Sequence, residues 1–161
     1  MEKDSRMQQA GTNSRIEYFR EHMEEALGRV PSGATRWLGG KLKEVSRGRL
    51  VAEFTVREDM VNPMKTLHGG AAAMIMDDML GIMVYLLGNP YAHTSVNLNC
   101  DFLSAARIGT RLIATAKIVR EGRNIVHCEC EIRDSDEKLI AKSASNLILT
   151  TFPLKEDREE L

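Results

Sequence analysis

Residues 62–87 read NPMKTLHGGAAAMIMDDMLGIMVYLL, and their reading decides the fold. The stretch opens with a proline loop, passes through His68-Gly69-Gly70 and runs on almost wholly apolar from Gly69 to Leu87. Its length, its alanines and methionines and the lack of alternation favour a helix over a strand. A helix of that length spans roughly 28 Å. It is apolar all round, which marks a helix buried inside a protein. A membrane span is the competing reading, but Asp77 and Asp78 at its centre would cost roughly 2.5–3.5 kcal/mol each in lipid. A helix wrapped by protein, with two carboxylates in an apolar middle, is a candidate active-site element.

The rest of the chain fits around that helix. Its 161 residues make room for one core of ordinary size. With 22 basic and 23 acidic residues the net charge is -1, so no nucleic-acid or other polyelectrolyte partner is implied. The opening MEKDSRMQQ is polar and lacks the charged-then-apolar run of a secretory leader. Cys128 and Cys130, two apart on one strand, make a poor disulfide, and Cys100 is left over. A reducing, cytoplasmic setting is expected. No Cys/His set has zinc-ligand spacing, so neither a metal nor another cofactor is expected.

Met1 to Asn13 reads as disordered. Ser14 to Leu27 carries Ile16, Phe19, Met23 and Leu27 at helical spacing, with Ser14 as N-cap and Glu17 three residues on. Strands follow. Arg36 to Val45 and Arg49 to Val56 read as a hairpin turned at Ser46-Arg47-Gly48, with Leu50, Ala52, Phe54 and Val56 on one face. After the long helix come four more strands. Val96, Leu98, Cys100 and Phe102 alternate with Ser95, Asn97, Asn99 and Asp101; Leu112, Ala114, Ala116 and Ile118 share a face; Val126, Cys128, Cys130 and Ile132 share another; Leu139 to Thr150 completes a meander. Period-two patterns joined by short turns indicate an antiparallel sheet with one covered face. The expected class is α+β, a long buried helix wrapped by an antiparallel sheet. The expected organisation is a tail and short helix over 1–32, one folded domain over 33–153 and a charged tail over 154–161.

This arrangement, with N-P-x(4)-H-G-G ahead of an acidic residue in mid-helix, resembles the hotdog-fold acyl-CoA thioesterases, and within them the phenylacetic-acid-degradation type. The resemblance covers roughly residues 33–151. It rests on Asn62, His68-Gly69-Gly70, Asp77 nine residues after that histidine, Gly109 before a strand and Glu121-Gly122-Arg123 in the next turn. It implies that Asp77 is the nucleophile or general base. It implies that Asn62 and Gly69 position and polarise the thioester carbonyl, and that Ser95, or Thr94 in its place, helps to hold water. Asp78 follows Asp77 directly, and a shift of one residue would exchange the two.

Elementary chemistry points the same way. Thioester hydrolysis needs a carboxylate nucleophile or an activated water, together with donors aimed at the developing oxyanion. The start of a long helix supplies free N–H groups and the positive end of its dipole. Gly69 and Gly70 let a carbonyl approach closely, and His68 at the helix start can orient it. Arg107, Arg123 and Lys142, with Gly122 in its turn, are candidates to meet the phosphates of an acyl-CoA. The methionines of the helix serve as core, or as the wall of an acyl tunnel.

The spacing of these groups has a consequence. Gly69 and Asp77 are eight residues apart, about 12 Å along one helix axis. Two groups so placed cannot serve one carbonyl, so their cooperation requires a second copy with an antiparallel helix. A homodimer with two composite sites is expected, alone or as a pair of dimers. A hotdog dehydratase or hydratase and a non-catalytic acyl-CoA-binding regulator are the alternatives. The first would carry a His-Phe-Pro stretch and a helix glutamate, the second a DNA-binding segment, and neither feature is present.

Overall fold

The apolar stretch forms one unbroken helix, α4 (Gly69–Tyr85), in a computed structural model that describes residues 13–154. His68 caps its start, and Gly88 at φ 82° turns the chain away after its end. Ala72, Ile75, Met76, Met79, Leu80 and Met83 are buried against the sheet. Each large side chain so buried contributes roughly 1.5–3 kcal/mol. The burial is not all round, as the composition suggests. A stripe of Gly70, Met74, Asp77 and Gly81 is exposed. These positions recur at helical spacing, so one face of α4 is open along its length.

The sheet that α4 crosses has six antiparallel strands in the order β1-β2-β4-β5-β6-β3. They are β1 (Lys41–Ser46), β2 (Arg49–Thr55), β3 (Tyr91–Phe102), β4 (Arg111–Glu121), β5 (Ile125–Asp134) and β6 (Leu139–Pro153). The face toward α4 is apolar: Leu50, Ala52, Phe54, Leu112, Ala114, Ala116, Val126, Cys128, Cys130 and Ile132 are all buried. The alternation legible in those strands is therefore the real one. The four strands after α4 are not a simple meander. β4, β5 and β6 are consecutive neighbours, but β3 crosses to the far edge and pairs with β6.

β3 also departs from strict alternation. Ser95 pairs with Leu147 and Asn97 with Asn146, two steps on β3 for one on β6, so Val96 is an extra, bulged residue. A bulge reverses the face on which the following residues fall. Ser95 and, two residues before it, His93 therefore lie on the α4 side, while Leu98 and Cys100 lie on that side beyond the bulge. Val96 and Phe102, expected inside, are 62% and 57% exposed.

Two other expectations are corrected toward the N-terminus. Residues 33–38 form a helix, α3 (Gly33–Leu38), where the first half of a hairpin strand was expected. Ser32 Oγ accepts from Thr35 N–H at its start, and Gly39 at φ 66° stops it, so the strand begins only at Lys41. The helix expected over Ser14–Leu27 is two, α1 (Ser14–Glu21) and α2 (Ala26–Arg29). Asn13 rather than Ser14 caps the first, its Oδ1 accepting from Arg15 N–H and Ile16 N–H. The break lets Ala26 and Leu27 join Ile16 and Phe19 in the same core as the sheet. The reading of residues 1–12 as disordered lies outside the described residues.

Candidate active site

The site is best built from the start of α4. The loop before it is closed by Asn62, whose Oδ1 accepts from Met64 N–H at 3.0 Å and Thr66 N–H at 3.2 Å and whose Nδ2 donates to Thr66 Oγ1 at 3.0 Å. Asn62 thus shapes the loop and keeps one Nδ2 hydrogen for another acceptor. His68 then caps α4: its Nδ1 accepts from Gly70 N–H at 2.8 Å. A neutral imidazole that accepts at Nδ1 carries its proton at Nε2, so His68 presents a donor there. Gly70 N–H is consumed by that bond, whereas Gly69 N–H has no acceptor among the described residues. Gly69 N–H, unlike Gly70 N–H, is a donor left without an acceptor among the described residues at the positive end of the helix. Phe102 packs over it: a Cβ added at Gly69 would meet the Phe102 ring at 3.5 Å.

The two aspartates part company. Asp77 lies on the open stripe and is exposed, contrary to the apolar surroundings expected of it, and Ser95 Oγ donates to its Oδ1 at 3.0 Å. Asp78 turns inward and accepts from the buried Thr35 Oγ1 at 2.6 Å. Burial raises the Asp78 carboxyl above the ordinary carboxylate range; the Thr35 hydroxyl partly offsets this and the Asp77 charge adds to it. One carboxylate is open to solvent and the other is tied to α3. Thr94, the alternate to Ser95, falls on the opposite face of β3, paired with Ile148.

The thiols offer no rival nucleophile. Burial pushes the Cys128 thiol up to about 12 and raises Cys130 further, and Cys100 is raised by burial and by Asp101 and Asp77. Thiols so shifted stay protonated at neutral pH. Among the described residues no three His, Cys, Asp or Glu side chains are grouped to hold a metal ion, and no helix is long and apolar enough to cross a membrane.

The remaining candidates lie at two ends of the molecule. Arg107 bridges to Thr66 and so stands beside the Asn62–His68 loop. Gly122 and Arg123 form the β4–β5 turn at the other end of the sheet, near the start of β3. Glycine is required at 122, because a Cβ there would sit 2.7 Å from Ile125 O. Within one chain, then, Gly69, His68 and Arg107 are at one end, and Asp77 and Ser95 sit about 12 Å along α4 toward the other. Three contributors escaped sequence reasoning. Thr35 is 43 residues from Asp78, Phe102 reaches Gly69 only through the fold, and His93 faces α4 only because of the bulge.

The chain resembles known proteins in sequence and in fold. Residues 64–141 match the family model of the Thioesterase superfamily. The chain is 27% identical over 106 residues to human acyl-coenzyme A thioesterase 13, covering 64% of this chain and 76% of that one. It is 32% identical over 105 residues to an esterase-like protein of Caenorhabditis elegans, covering 65% of this chain and 62% of that one, so it spans under two thirds of the nematode protein's length. Among solved structures, the PaaI protein of the Escherichia coli phenylacetic acid degradation operon superposes with a TM-score of 0.75 at 20% identity, over 89% of this chain and 99% of that one. Zebrafish thioesterase superfamily member 2 gives 0.73 at 25% identity, over 83% and 97%. These likenesses identify the hotdog fold.

Proposed function

From the match of residues 64–141 to the Thioesterase superfamily model and the hotdog fold of the chain, we propose that it hydrolyses acyl-coenzyme A thioesters at two composite sites of a homodimer. The observation that carries this reading is the separation of an unpaired donor, Gly69 N–H, from an exposed carboxylate, Asp77, along one open helix face. Each is half of a hydrolytic site, and the distance between them calls for a second chain.

β3 offers the means of joining. It is a long edge strand, with no pairing strand on one side among the described residues, and Val96 and Phe102 are exposed. An open apolar edge of this kind seeks a pairing strand. Pairing β3 with its own copy about a twofold axis sets the two α4 helices antiparallel and covers both stripes. Asp77 of one chain then faces Gly69 of the other. Closure also removes water around Asp77, which strengthens its interaction with the reacting centre.

In that site the thioester oxygen accepts from Gly69 N–H, with His68 Nε2–H and the spare Nδ2 hydrogen of Asn62 to orient it. Negative charge that develops on the oxygen is met by the N–H and the helix dipole. Asp77 either attacks the carbonyl carbon or removes a proton from an attacking water, and Ser95 holds the carboxylate and water in line. In either case the C–S bond breaks and the sulfur takes up a proton to leave as coenzyme A; where Asp77 has attacked, water then cleaves the acyl–Asp77 anhydride, releasing the free acid and restoring the carboxylate. Arg107 and Arg123 stand at the two ends of the groove, where coenzyme A phosphates would be met. The three free thiols fit a reducing, cytoplasmic setting.

The test is a panel of acyl-coenzyme A thioesters with release of free thiol followed over time. Turnover of at least one thioester far above its spontaneous hydrolysis supports the reading. Tight binding of thioesters without turnover would replace it with a binding protein.

A further inference from the structure

The open stripe of α4 continues beyond Asp77. Gly81, one turn on, faces a cavity of about 160 Å³ between the second half of α4, the start of β3 and α1. Tyr85, Tyr91 and His93 wall it, and Arg15 stands at the Tyr85 end. A Cβ added at Gly81 would meet nothing within 4 Å. Asp77, Gly81 and Tyr85 follow one another up one face of the helix, and Ser95, His93 and Tyr91 down one face of the strand. The two rows are joined at the Ser95–Asp77 bond and lead from the candidate carboxylate into the cavity.

Arg15 is fixed there. Its Nη1 donates to Tyr85 O at 2.9 Å and to Asn89 O at 3.0 Å, and its guanidinium lies 4.3 Å from the centre of the Tyr85 ring. The neighbouring Asn13 Nδ2 donates to Leu86 O at 2.6 Å, so α1 is clamped to the end of α4. Nε and Nη2 of Arg15 donate to no described residue. No carboxylate among the described residues lines the cavity. Glu121, whose charge reaches His93, is engaged by both Nη atoms of Arg47 at 2.8 Å. Burial holds His93 below its ordinary value and therefore neutral at neutral pH. Among the described residues the cavity thus presents one immobilised cation, with two N–H groups that donate to none of them. A planar guanidinium in that state matches the two oxygens of a carboxylate.

We infer that the cavity receives the far end of the acyl group and that Arg15 selects thioesters whose acyl chain ends in a carboxylate. This rests on the thioesterase reading above. Gly81 and Tyr85 lie about 6 Å and 12 Å along the helix from Asp77. An extended chain advances about 1.2 Å per bond, a third of the length of an extended residue. The terminal carboxylate therefore belongs about five to ten bonds from the thioester carbon. The substrate class is the coenzyme A half-thioester of a straight-chain dicarboxylic acid. Arg15 lies outside residues 64–141, which match the family model.

The experiment compares octanedioyl-CoA with octanoyl-CoA, which differ only at the far end. The parent should favour the former in kcat/KM by roughly tenfold or more, the usual yield of a hydrogen bond to a charged group. Arg15→Gln should bring the ratio near one, through a rise in KM for octanedioyl-CoA, and Arg15→Lys should keep part of the preference. Should Arg15→Gln not fold, Gly81→Leu, which fills the cavity from the helix side, should abolish the preference instead. A parent ratio of one or less, or an equal loss on both thioesters in Arg15→Gln, overturns the inference and leaves Arg15 a clamp on α4. If the parent hydrolyses neither these nor any shorter acyl-coenzyme A, the thioesterase reading fails. Calorimetry with the thioether analogues of the same two compounds then decides: tighter binding of the carboxylate-ended one, lost in Arg15→Gln, upholds the inference, and equal or absent binding sinks it.

Discussion

Ser95 donates to Asp77 across 3.0 Å because Val96 is bulged out of the β3–β6 ladder. Without that extra residue Ser95 would share a face with Asn97 and point away from α4. Bulges beside functional groups commonly re-aim a side chain in this way. The hydroxyl therefore reaches the carboxylate through a local irregularity and not through the regular pleat.

This contact gives the first prediction. Asp77→Asn should lower turnover by at least about a hundredfold, the lower end for loss of a general base. Ser95→Ala should cost about tenfold, since it removes one hydrogen bond to a charged group. Neither side chain belongs to the buried core of its own chain, so melting temperatures should stay close to the parent's. If Asp78→Asn is the inactive variant and Asp77→Asn retains turnover, the roles of the two carboxylates are exchanged.

The second prediction concerns Asp78 and pH. Burial raises its folded-state pKa, so the folded protein holds this proton to higher pH than the unfolded chain does. The ionised group then costs stability at neutral pH, and the cost fades as pH falls through the raised value. Asp78→Asn, whose Oδ1 can still accept from Thr35, should melt at or above the parent at neutral pH, with the gap closing toward the ordinary carboxylate range. Thr35→Val, which strands the carboxylate, should destabilise by roughly 1–3 kcal/mol. A gap between Asp78→Asn and parent that ignores pH would contradict this account.

The third tests whether the two halves of a site come from different chains. Gly69→Pro deletes the free N–H, and proline is tolerated at the first position of a helix. Each of the Asp77→Asn and Gly69→Pro homodimers lacks one group in both sites. Refolded together in equal amounts, about half the dimers are mixed, and one of the two sites in each is whole. Activity should return to about a quarter of the parent's. No recovery, with each variant folded by circular dichroism, would place both groups in one chain.

The fourth concerns assembly. Val96 stands near the middle of the open edge of β3, so in a twofold pairing it meets its own copy. Val96→Lys should weaken the dimer by at least about a hundredfold, because like charges facing one another cost several kcal/mol. Light scattering should then give the mass of one chain at micromolar concentration, together with lost turnover. An active single chain, in the parent or the variant, would remove the composite site.

Much of this molecule is written in local pattern. The length of α4, the inward faces of β2, β4 and β5 and the position of the His68-Gly69-Gly70 start follow from periodicity that neighbouring residues enforce. What was not legible depends on contacts far apart in the chain. The choice between Asp77 and Asp78 is made by Thr35 and Ser95, on α3 and β3, and adjacent residues cannot express it. α3 was hidden because Arg36 and Leu38 suit a strand as well as a helix, and only the Ser32 cap and Gly39 decide. The place of β3 at the sheet edge is equally silent, since an edge strand and an inner one can carry the same residues.

That crossover also sets a schedule. β3 is made directly after α4, yet the strand it pairs with is the last of the sheet, and Ser145 and Asn97, bonded through Oγ and O, are 48 residues apart. At ordinary rates of translation the intervening stretch takes roughly 2–10 s to appear. Until then β3 has neither edge satisfied, and the bulge that aims Ser95 does not exist, because a bulge is defined only against its partner strand. The helix and its carboxylate are in hand early, whereas the hydroxyl beside it is placed only once β6 has been made. A nascent chain interrupted before β6 would carry Asp77 on a formed helix and still be without a site.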